Sequence, residues 1–263
     1  MKSRRGGLEG VRMSEQNARA DDILTLVAAG ALAYACADLA HHVLGHAAAC
    51  VAVGGRVLSI SPTHVSCTAT GVVVDLAGPA ANLVVGLAAL CGLAWPTSQQ
   101  VLRLFLLELA GFNLLWLTGQ LIYSALAEKD DWRQLIISLP PGEPWKAIFT
   151  AAGVLGYLGV LRLLSAAFSP LAASSSLRLL KVVVAAYVGG GLAAGAIALG
   201  QAAPADAFVL AAPQALLLPL GILFLRPLPS RTIAPSIRLR LPVIAGALIL
   251  SGLAAAFFNW SAS

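Results

Sequence analysis

Apolar runs of about 20 residues or more fill most of the chain, and short polar or proline-containing connections separate them. An α-helix rises about 1.5 Å per residue, so roughly 20 apolar residues cross a hydrocarbon core of about 30 Å. The pattern therefore predicts an all-α integral membrane protein with about seven transmembrane helices. The predicted spans are Ile23–Val53, Ala77–Trp95, Val101–Leu126, Trp145–Phe168, Leu179–Gly200, Ala207–Leu225 and Leu241–Trp260.

The segment after the first span has a different periodicity. Gly54 and Gly55 end the apolar run, and polar and β-branched residues then alternate from Arg56 to Val74. Alternation with a period of two is typical of strands. We expect a small β-hairpin here, formed from Val57–Ser61 and Gly71–Val74, or a re-entrant element in its place.

Composition excludes a sizeable soluble domain. The chain is 59% hydrophobic and 11% charged, whereas soluble domains carry about 25% charged residues. The basic residues are spread between the apolar runs, which is typical of topology signals rather than of a nucleic-acid surface. The expected partner is the lipid bilayer, with no nucleic acid, and the expected location is multi-pass in the plasma (inner) membrane. The four cysteines show no C-x-x-C spacing, which favours small buried hydrophobes.

The chain divides into three regions by composition. Residues 1–22 form a polar basic arm, residues 23–133 a membrane core with most of the candidate chemistry, and residues 134–263 a four-helix membrane extension. A cytoplasmic N-terminus satisfies the positive-inside rule. It places the later ends of the first and third spans outside. The residues it places inside are Lys2, Arg4, Arg5, Arg12, Arg19, Arg178, Lys181, Arg226, Arg231, Arg238 and Arg240.

Three of the four histidines lie close together in the first span, at His41, His42 and His46. His42 and His46 are four residues apart, so on an α-helix they share a face. This spacing is the metal-binding half of the H-E-x-x-H signature, in which the Glu acts as general base. Val43 stands where that Glu would be. The alternative is a set of neutral histidines packed at a helix interface.

Carboxylates could complete or support such a site. Asp38 lies one turn before His42, either as a carboxylate that orients a metal-binding imidazole or as a simple histidine partner. The first and third spans run in the same direction, so Asp131, just after the third span, emerges on the same side as His46. Asp131 is thus a candidate third ligand, although Asp130 and Asp131 could instead be a solvated loop pair.

Two further segments carry amides inside apolar spans. Ala77–Leu83 reads A-G-P-A-A-N-L, with small residues for close helix packing and Asn82 for hydrogen bonding to a helix or a bound peptide backbone. Asn113 and Gln120 lie in the third span.

Taken in this order, the segments resemble the site-2 protease family of intramembrane zinc metallopeptidases, over about Leu24 to Trp132. The resemblance implies a three-helix core that binds Zn²⁺ through His42 and His46. The family's third ligand would fall at Leu121-Ile122, which cannot bind zinc, so the third ligand would have to be Asp131, Asp130 or another residue. It further implies hydrolysis of membrane-protein substrates bound by Asn82 and Asn113. It places the site near the cytoplasmic face, whereas the charge count places these span ends outside.

Three departures from the family pattern bear on activity. Val43 replaces the Glu, Trp116 replaces a Pro, and Leu121-Ile122 replaces an Asp-Gly pair. Glu108, Asp38 and Asp75 are candidate substitutes for the missing base.

The leading hypothesis is thus a membrane protein resembling a zinc metallopeptidase. The second is a non-catalytic pseudoprotease that binds membrane segments or partner proteins. The third is a transporter-like or structural bundle, built around Gly189–Gly191 and the proline-containing sixth span.

Overall fold

The computed structural model describes residues 21–69, 71–95, 99–139, 144–172, 175–228 and 236–258. In this part the chain is mostly helical, with one two-stranded sheet. The elements are α1 (Ile23–Ala52), β1 (Val57–Ser61), β2 (His64–Cys67), α2 (Val72–Gly92), α3 (Gln100–Ala127), α4 (Trp132–Ser138), α5 (Trp145–Ala172), α6 (Ser176–Leu199), α7 (Pro204–Phe224) and α8 (Leu241–Phe257).

Six of these helices are long and apolar enough to cross a membrane: α1, α2, α3, α5, α6 and α7. The prediction of a helical membrane protein is confirmed at that level. Helix α8 is apolar but has only 17 residues, so the seventh span stays a prediction. The basic arm predicted for residues 1–22 lies outside the described residues, except for Asp21 and Asp22.

Helix α1 changes its winding at the histidines. Asp22 caps its N-terminus, accepting a hydrogen bond from the Thr25 backbone N–H at 2.8 Å. Residues Ala40–Ala47 then form a π-helical segment, before the α-helix resumes to Ala52. In a π-helix the hydrogen bonds run between residues five apart. Residues five apart therefore come onto one face here.

A β-hairpin follows α1, as predicted, but its second strand differs. Strand β1 pairs antiparallel with β2, which is His64–Cys67. The predicted second strand, Gly71–Val74, was wrong because Val72–Val74 form the first turn of α2. Gly71, with φ of 147°, separates the hairpin from that helix. The apolar valines continue into the second span, so helical burial outweighs their β propensity.

A disulfide joins Cys50 near the end of α1 to Cys67 at the end of β2. The expectation that the cysteines are merely small buried hydrophobes is wrong for this pair. Residues 17 apart in sequence are linked, and the hairpin is therefore fixed against the end of α1. Cys36 and Cys91 are free.

Helix α1 lies in the interior and crosses α6 at very short range. A Cβ added to Gly189 would lie 2.1 Å from the Val27 carbonyl oxygen, and one added to Gly30 would lie 2.4 Å from the Ala186 carbonyl oxygen. The absence of a side chain at Gly189 and Gly30 therefore allows the two helix backbones to approach closely. Tight packing around α1 holds the histidine segment rigidly in the bundle.

Polar contacts gather at the other end of the bundle, where α1 begins. Asp21 accepts hydrogen bonds from Arg178 Nε and Nη2 at 2.7 and 2.8 Å, and from the Ile237 backbone N–H at 2.8 Å. The Arg240 N–H donates to Thr25 Oγ1 at 3.0 Å. The starts of α1, α6 and α8 therefore lie together, with α1 oriented so that its histidines approach the opposite end.

Candidate metal centre

Three side chains converge where α1 and α3 end: His41, His46 and Asp131. One ligand atom from each lies within 4.8 Å of the others. His41 Nε2 is 2.9 Å and His46 Nε2 is 3.3 Å from Asp131 Oδ2. The two Nε2 atoms are 3.1 Å apart. Both imidazoles are buried, so donor atoms of three residues meet in a secluded place.

These separations suit a metal ion. Bonds of about 2.0–2.1 Å in a tetrahedral site give edges of about 3.3 Å between ligand atoms. The three observed edges, 2.9, 3.1 and 3.3 Å, are close to that length. Two imidazole nitrogens and one carboxylate oxygen form a donor set that binds Zn²⁺ or Fe²⁺. The residues present therefore fit a divalent metal.

The other nitrogen of His46 fixes its orientation. Its Nδ1 lies 2.8 Å from the Val74 carbonyl oxygen, which can only accept a hydrogen bond. Nδ1 therefore carries a proton, and Nε2 is the atom that faces the other two ligands. A backbone carbonyl behind a metal-binding histidine is the usual means of setting tautomer and ring position.

Aromatic stacking holds His41. Its ring lies against Trp116, with centroids 4.7 Å apart and planes at 15°. Tyr34 stacks on Trp116 in turn, at 6.3 Å and 7°. Trp116 thus forms a wall behind His41.

The loop after α3 places Asp131. Glu128 and Asp130 both have positive φ, at 53° and 70°. Residues other than glycine rarely adopt this conformation, and it recurs at functional sites. The buried Gln120 donates from Nε2 to Asp131 Oδ2 at 2.7 Å. Burial alone would raise the pKa of Asp131, but the charges and hydrogen bonds of His41 and His46 lower it well below its usual range. Asp131 is therefore an ionised carboxylate, suited to bind a cation.

Glycine makes the close approach of α2 possible. A Cβ added to Gly78 would lie 2.3 Å from His46 Nε2 and 2.7 Å from His41 Nε2. A Cβ added to Gly45 would lie 2.6 Å from the Cα of Gly78. The ligand nitrogens therefore occupy the space that a side chain at 78 would fill.

His42, the predicted partner of His46, does not join this group. Its Nδ1 lies 3.1 Å from the Asp38 carbonyl oxygen and 3.2 Å from Asp38 Oδ1. The prediction assumed α-helical winding, in which residues four apart share a face, but the π-helical segment brings His41 beside His46 instead. Asp38 contacts His42 as expected for a carboxylate partner. The His42 ring stays close to the triad, 4.8 Å from the His41 ring and 6.0 Å from that of His46.

The other predicted site residues lie deeper in the bundle. Glu108 is fully buried with no hydrogen-bond partner for either carboxyl oxygen. It precedes Gln120 by twelve residues on one helix, which separates it by about 18 Å along the axis from the residue that contacts Asp131. That distance excludes direct contact with the triad.

The two asparagines lie where α2 meets α3. Asn82 is fully buried, with both side-chain polar atoms unpartnered. Asn113 donates to the Leu109 carbonyl oxygen at 2.8 Å and leaves its Oδ1 unpartnered. Neither lines the cavity that borders the triad. Their place is one helical turn or more below Gly78.

A polar cavity of about 470 Å³ borders the triad. The hairpin, the loop after α3 and the first half of α7 enclose it, and Asp131 forms part of its wall. Its described lining is Thr63, His64, Asp75, Tyr123, Lys129, Asp130, Asp131, Arg133, Leu210, Pro213 and Gln214. The triad is thus buried among the helices and borders this cavity through Asp131.

Comparisons with known proteins give no relative: no protein family matches the chain, and neither a curated protein nor a solved structure matches it. The arrangement described above therefore rests on this chain's own residues.

Sequence reasoning missed three features of this centre. His41 was passed over because the spacing rule assumes an α-helix. Gln120 was noted only as an amide in an apolar span. Gly78 belonged to a small-residue motif, and nothing in the sequence showed that it faces two imidazoles.

Proposed function

We propose that this chain is a membrane-embedded metallohydrolase of the site-2 protease type, which binds Zn²⁺ through His41, His46 and Asp131 and cleaves peptide bonds at the cavity. The supporting observation is the convergence of three potential ligand atoms at 2.9–3.3 Å beside a polar cavity. Sites with three protein ligands and one free position are those that catalyse, whereas structural zinc sites use four.

Bound there, a zinc ion would polarise a peptide carbonyl and lower the pKa of water toward about 7. The chain's own residues supply the remaining needs of hydrolysis. Val74 and Gln120 orient two of the ligands, Trp116 holds the third, and the buried α1–α2 contact excludes lipid. The bundle thus provides a rigid, largely dry setting for charge development.

His42 is the best placed general base. In H-E-x-x-H the Glu directly follows the first ligand. With His41 as the first ligand, His42 takes that place and Val43 does not. His42 Nδ1 lies 3.1 Å from the Asp38 backbone carbonyl oxygen and 3.2 Å from Asp38 Oδ1, so Asp38 holds this ring in place. Glu108 is too distant to share this role, and Asp75 lines the cavity without contacting His42.

A peptide substrate would enter through the cavity. Asn82 and Asn113 retain unpartnered polar atoms, and we keep them as candidate contacts for an unwound substrate backbone that reaches the α2–α3 interface. Buried polar atoms without partners are costly. A bound peptide backbone would relieve that cost.

Metal content of purified variants tests the ligand set. Wild-type protein in detergent should hold about one equivalent of Zn²⁺ per chain by elemental analysis, which also detects iron. His41→Ala, His46→Ala and Asp131→Asn should hold almost none. His42→Ala is the matched control, because it removes a neighbouring imidazole and should retain the metal. Metal loss in His42→Ala with retention in His41→Ala would refute this ligand set.

Cleavage tests the activity separately. Wild-type protein in proteoliposomes is mixed with a panel of single-span reporter proteins, and fragments are detected by mass spectrometry. Cleavage that Asp131→Asn abolishes supports hydrolysis. His42→Ala should keep its zinc and lose about 10²–10⁴-fold in rate, as expected for loss of a general base. Bound zinc with no cleavage of any reporter would instead favour a non-catalytic pseudoprotease.

A further inference from the structure

We propose that the metal centre opens to the extracytoplasmic side of the membrane, so that its substrates are segments of membrane or exported proteins reached from outside. Two independent observations carry this orientation: where the disulfide lies and how the basic residues are distributed between the two ends of the bundle. The orientation itself does not depend on the metal. The statement about substrates rests on the proposed function.

The helices of the bundle have their ends on two opposite sides. The triad end is where α1 and α3 finish and where the hairpin and the loop after α3 lie. The basic end is where α1, α3 and α6 begin. The contacts of Asp21 with Arg178 and with the Ile237 N–H place the starts of α1 and α6 and the approach to α8 together there.

The disulfide marks the triad end as oxidising. Cys50 lies two residues before the end of α1 at Ala52, and Cys67 is the last residue of β2 in the hairpin that follows. Disulfides persist in extracytoplasmic compartments, whereas the cytosol keeps thiols reduced. Cys91, near the end of α2 at the basic end, is exposed and free. The Cys50–Cys67 disulfide therefore favours an outward-facing triad, and Cys91 provides a thiol for labelling at the opposite end.

The charges give the same orientation. The rule that positive charge stays inside counts Lys and Arg in short loops and near span ends. Four lie at the triad end: Arg56, Lys129, Arg133 and Lys146. Twelve precede α1 in the sequence or flank, in the sequence, the helix ends that lie at the basic end: Lys2, Arg4, Arg5, Arg12, Arg19, Arg103, Arg178, Lys181, Arg226, Arg231, Arg238 and Arg240. A threefold excess places the basic end in the cytoplasm.

Orientation decides what can reach the cavity. His41 and His46 lie in the second half of α1, and Asp131 lies beyond α3, so the centre sits towards the triad end. The cavity is bounded by the hairpin and by the loop after α3, both at that end. A polypeptide can therefore enter from the extracytoplasmic side without first crossing the bundle.

Thiol labelling in intact cells tests the orientation. Lys129 is exposed on the cavity wall and Glu128 is exposed beside it. Lys129→Cys and Glu128→Cys, each in a Cys91→Ala background, serve as triad-end reporters, and native Cys91 serves as the basic-end reporter. The Cys91→Ala variant without a reporter controls for Cys36. A membrane-impermeant maleimide is applied before or after permeabilisation, with denatured samples giving the total thiol.

We expect the triad-end reporters to label equally before and after permeabilisation. Cys91 should label at least about tenfold more after it. Alkylation of acid-quenched cells without reductant should leave Cys50 and Cys67 unmodified. Labelling of both triad-end reporters only after permeabilisation, or free Cys50 and Cys67 thiols in cells, would overturn the proposal. Because no readout involves metal or cleavage, this failure is distinct from failure of the metal-content test.

Discussion

The glycine beside the ligands offers a sharp test of the metal centre. In Gly78→Ala the added methyl would stand 2.3 Å from His46 Nε2 and 2.7 Å from His41 Nε2. Ordinary van der Waals separation is about 3.5 Å. One or both imidazoles must therefore move by roughly 1 Å, because the backbone of α2 is held by the short contact of Gly45 with Gly78.

A displacement of that size is large for a metal ligand. Metal–ligand distances hold within about 0.2 Å, so a shift of roughly 1 Å removes the ligand from coordination. Changes that only loosen a ligand's support cost about 10–100-fold in affinity. We therefore expect Gly78→Ala to weaken Zn²⁺ binding by about 100-fold or more.

The assay is competition for Zn²⁺ between the purified protein and a chromophoric chelator, in detergent, at fixed pH. Gly92→Ala is the matched control on the same helix. Its added methyl would lie 3.3 Å from the flexible Leu106 Cδ1 and far from the ligands. Wild-type affinity in Gly78→Ala, with its fold intact by circular dichroism, would refute the assignment of these imidazoles as ligands.

Three further predictions follow from the same contacts. Gln120→Leu removes the donor to Asp131 Oδ2 and should weaken Zn²⁺ binding about 10–100-fold in the same assay, so unchanged affinity would show that Asp131 needs no such support. Gly189→Ala should lower the free energy of unfolding by roughly 1–3 kcal/mol, since its methyl would meet the Val27 carbonyl. In the control Gly159→Ala the methyl meets nothing within 4 Å, so the melting temperature should not change. Equal effects of the two substitutions would contradict the close crossing of α1 and α6. Burial, with the nearby charge of Asp131, raises the pKa of Asp130 from 3.8 to about 6. The stability contributed by the protonated carboxyl is therefore lost as pH rises through about 6. Metal-free Asp130→Asn should gain stability relative to wild type between pH 4 and 7, and parallel melting curves against pH would contradict this.

Hydrophobic pattern predicted most of the helical framework. Helices α3 and α6 begin and end within a few residues of the third and fifth predicted spans. Insertion in a membrane depends on length and apolarity, and both can be read directly from a sequence. The second strand was misplaced because valine occurs both in strands and in apolar helices. The Cys50–Cys67 pair could not be predicted, since pairing depends on where the hairpin folds back.

The site was predicted in part for a different physical reason. Asp131 and His46 could be associated because parallel spans end on the same side. His41 could not, because its role depends on five-residue winding over eight residues of α1, and no residue in Ala40–Ala47 enforces that winding by itself. Gly45 packs against Gly78 and His46 donates to the Val74 carbonyl, and both partners belong to α2. The local geometry of the segment is therefore set by tertiary contacts.

The π-helical segment also changes how the missing Glu is interpreted. Under α-helical winding, the residue after the first ligand is Val43, which cannot accept a proton, and the chain has lost its base. With five-residue spacing, the first ligand moves to His41 and the following residue becomes His42, which has Asp38 at its Nδ1. A shift of one residue in the sequence therefore accounts both for His41 as the first ligand and for His42 as the base. With His42 as the base, Val43→Glu should not increase cleavage in the proposed enzyme, whereas His42→Ala should slow it by about 10²–10⁴-fold while zinc remains bound.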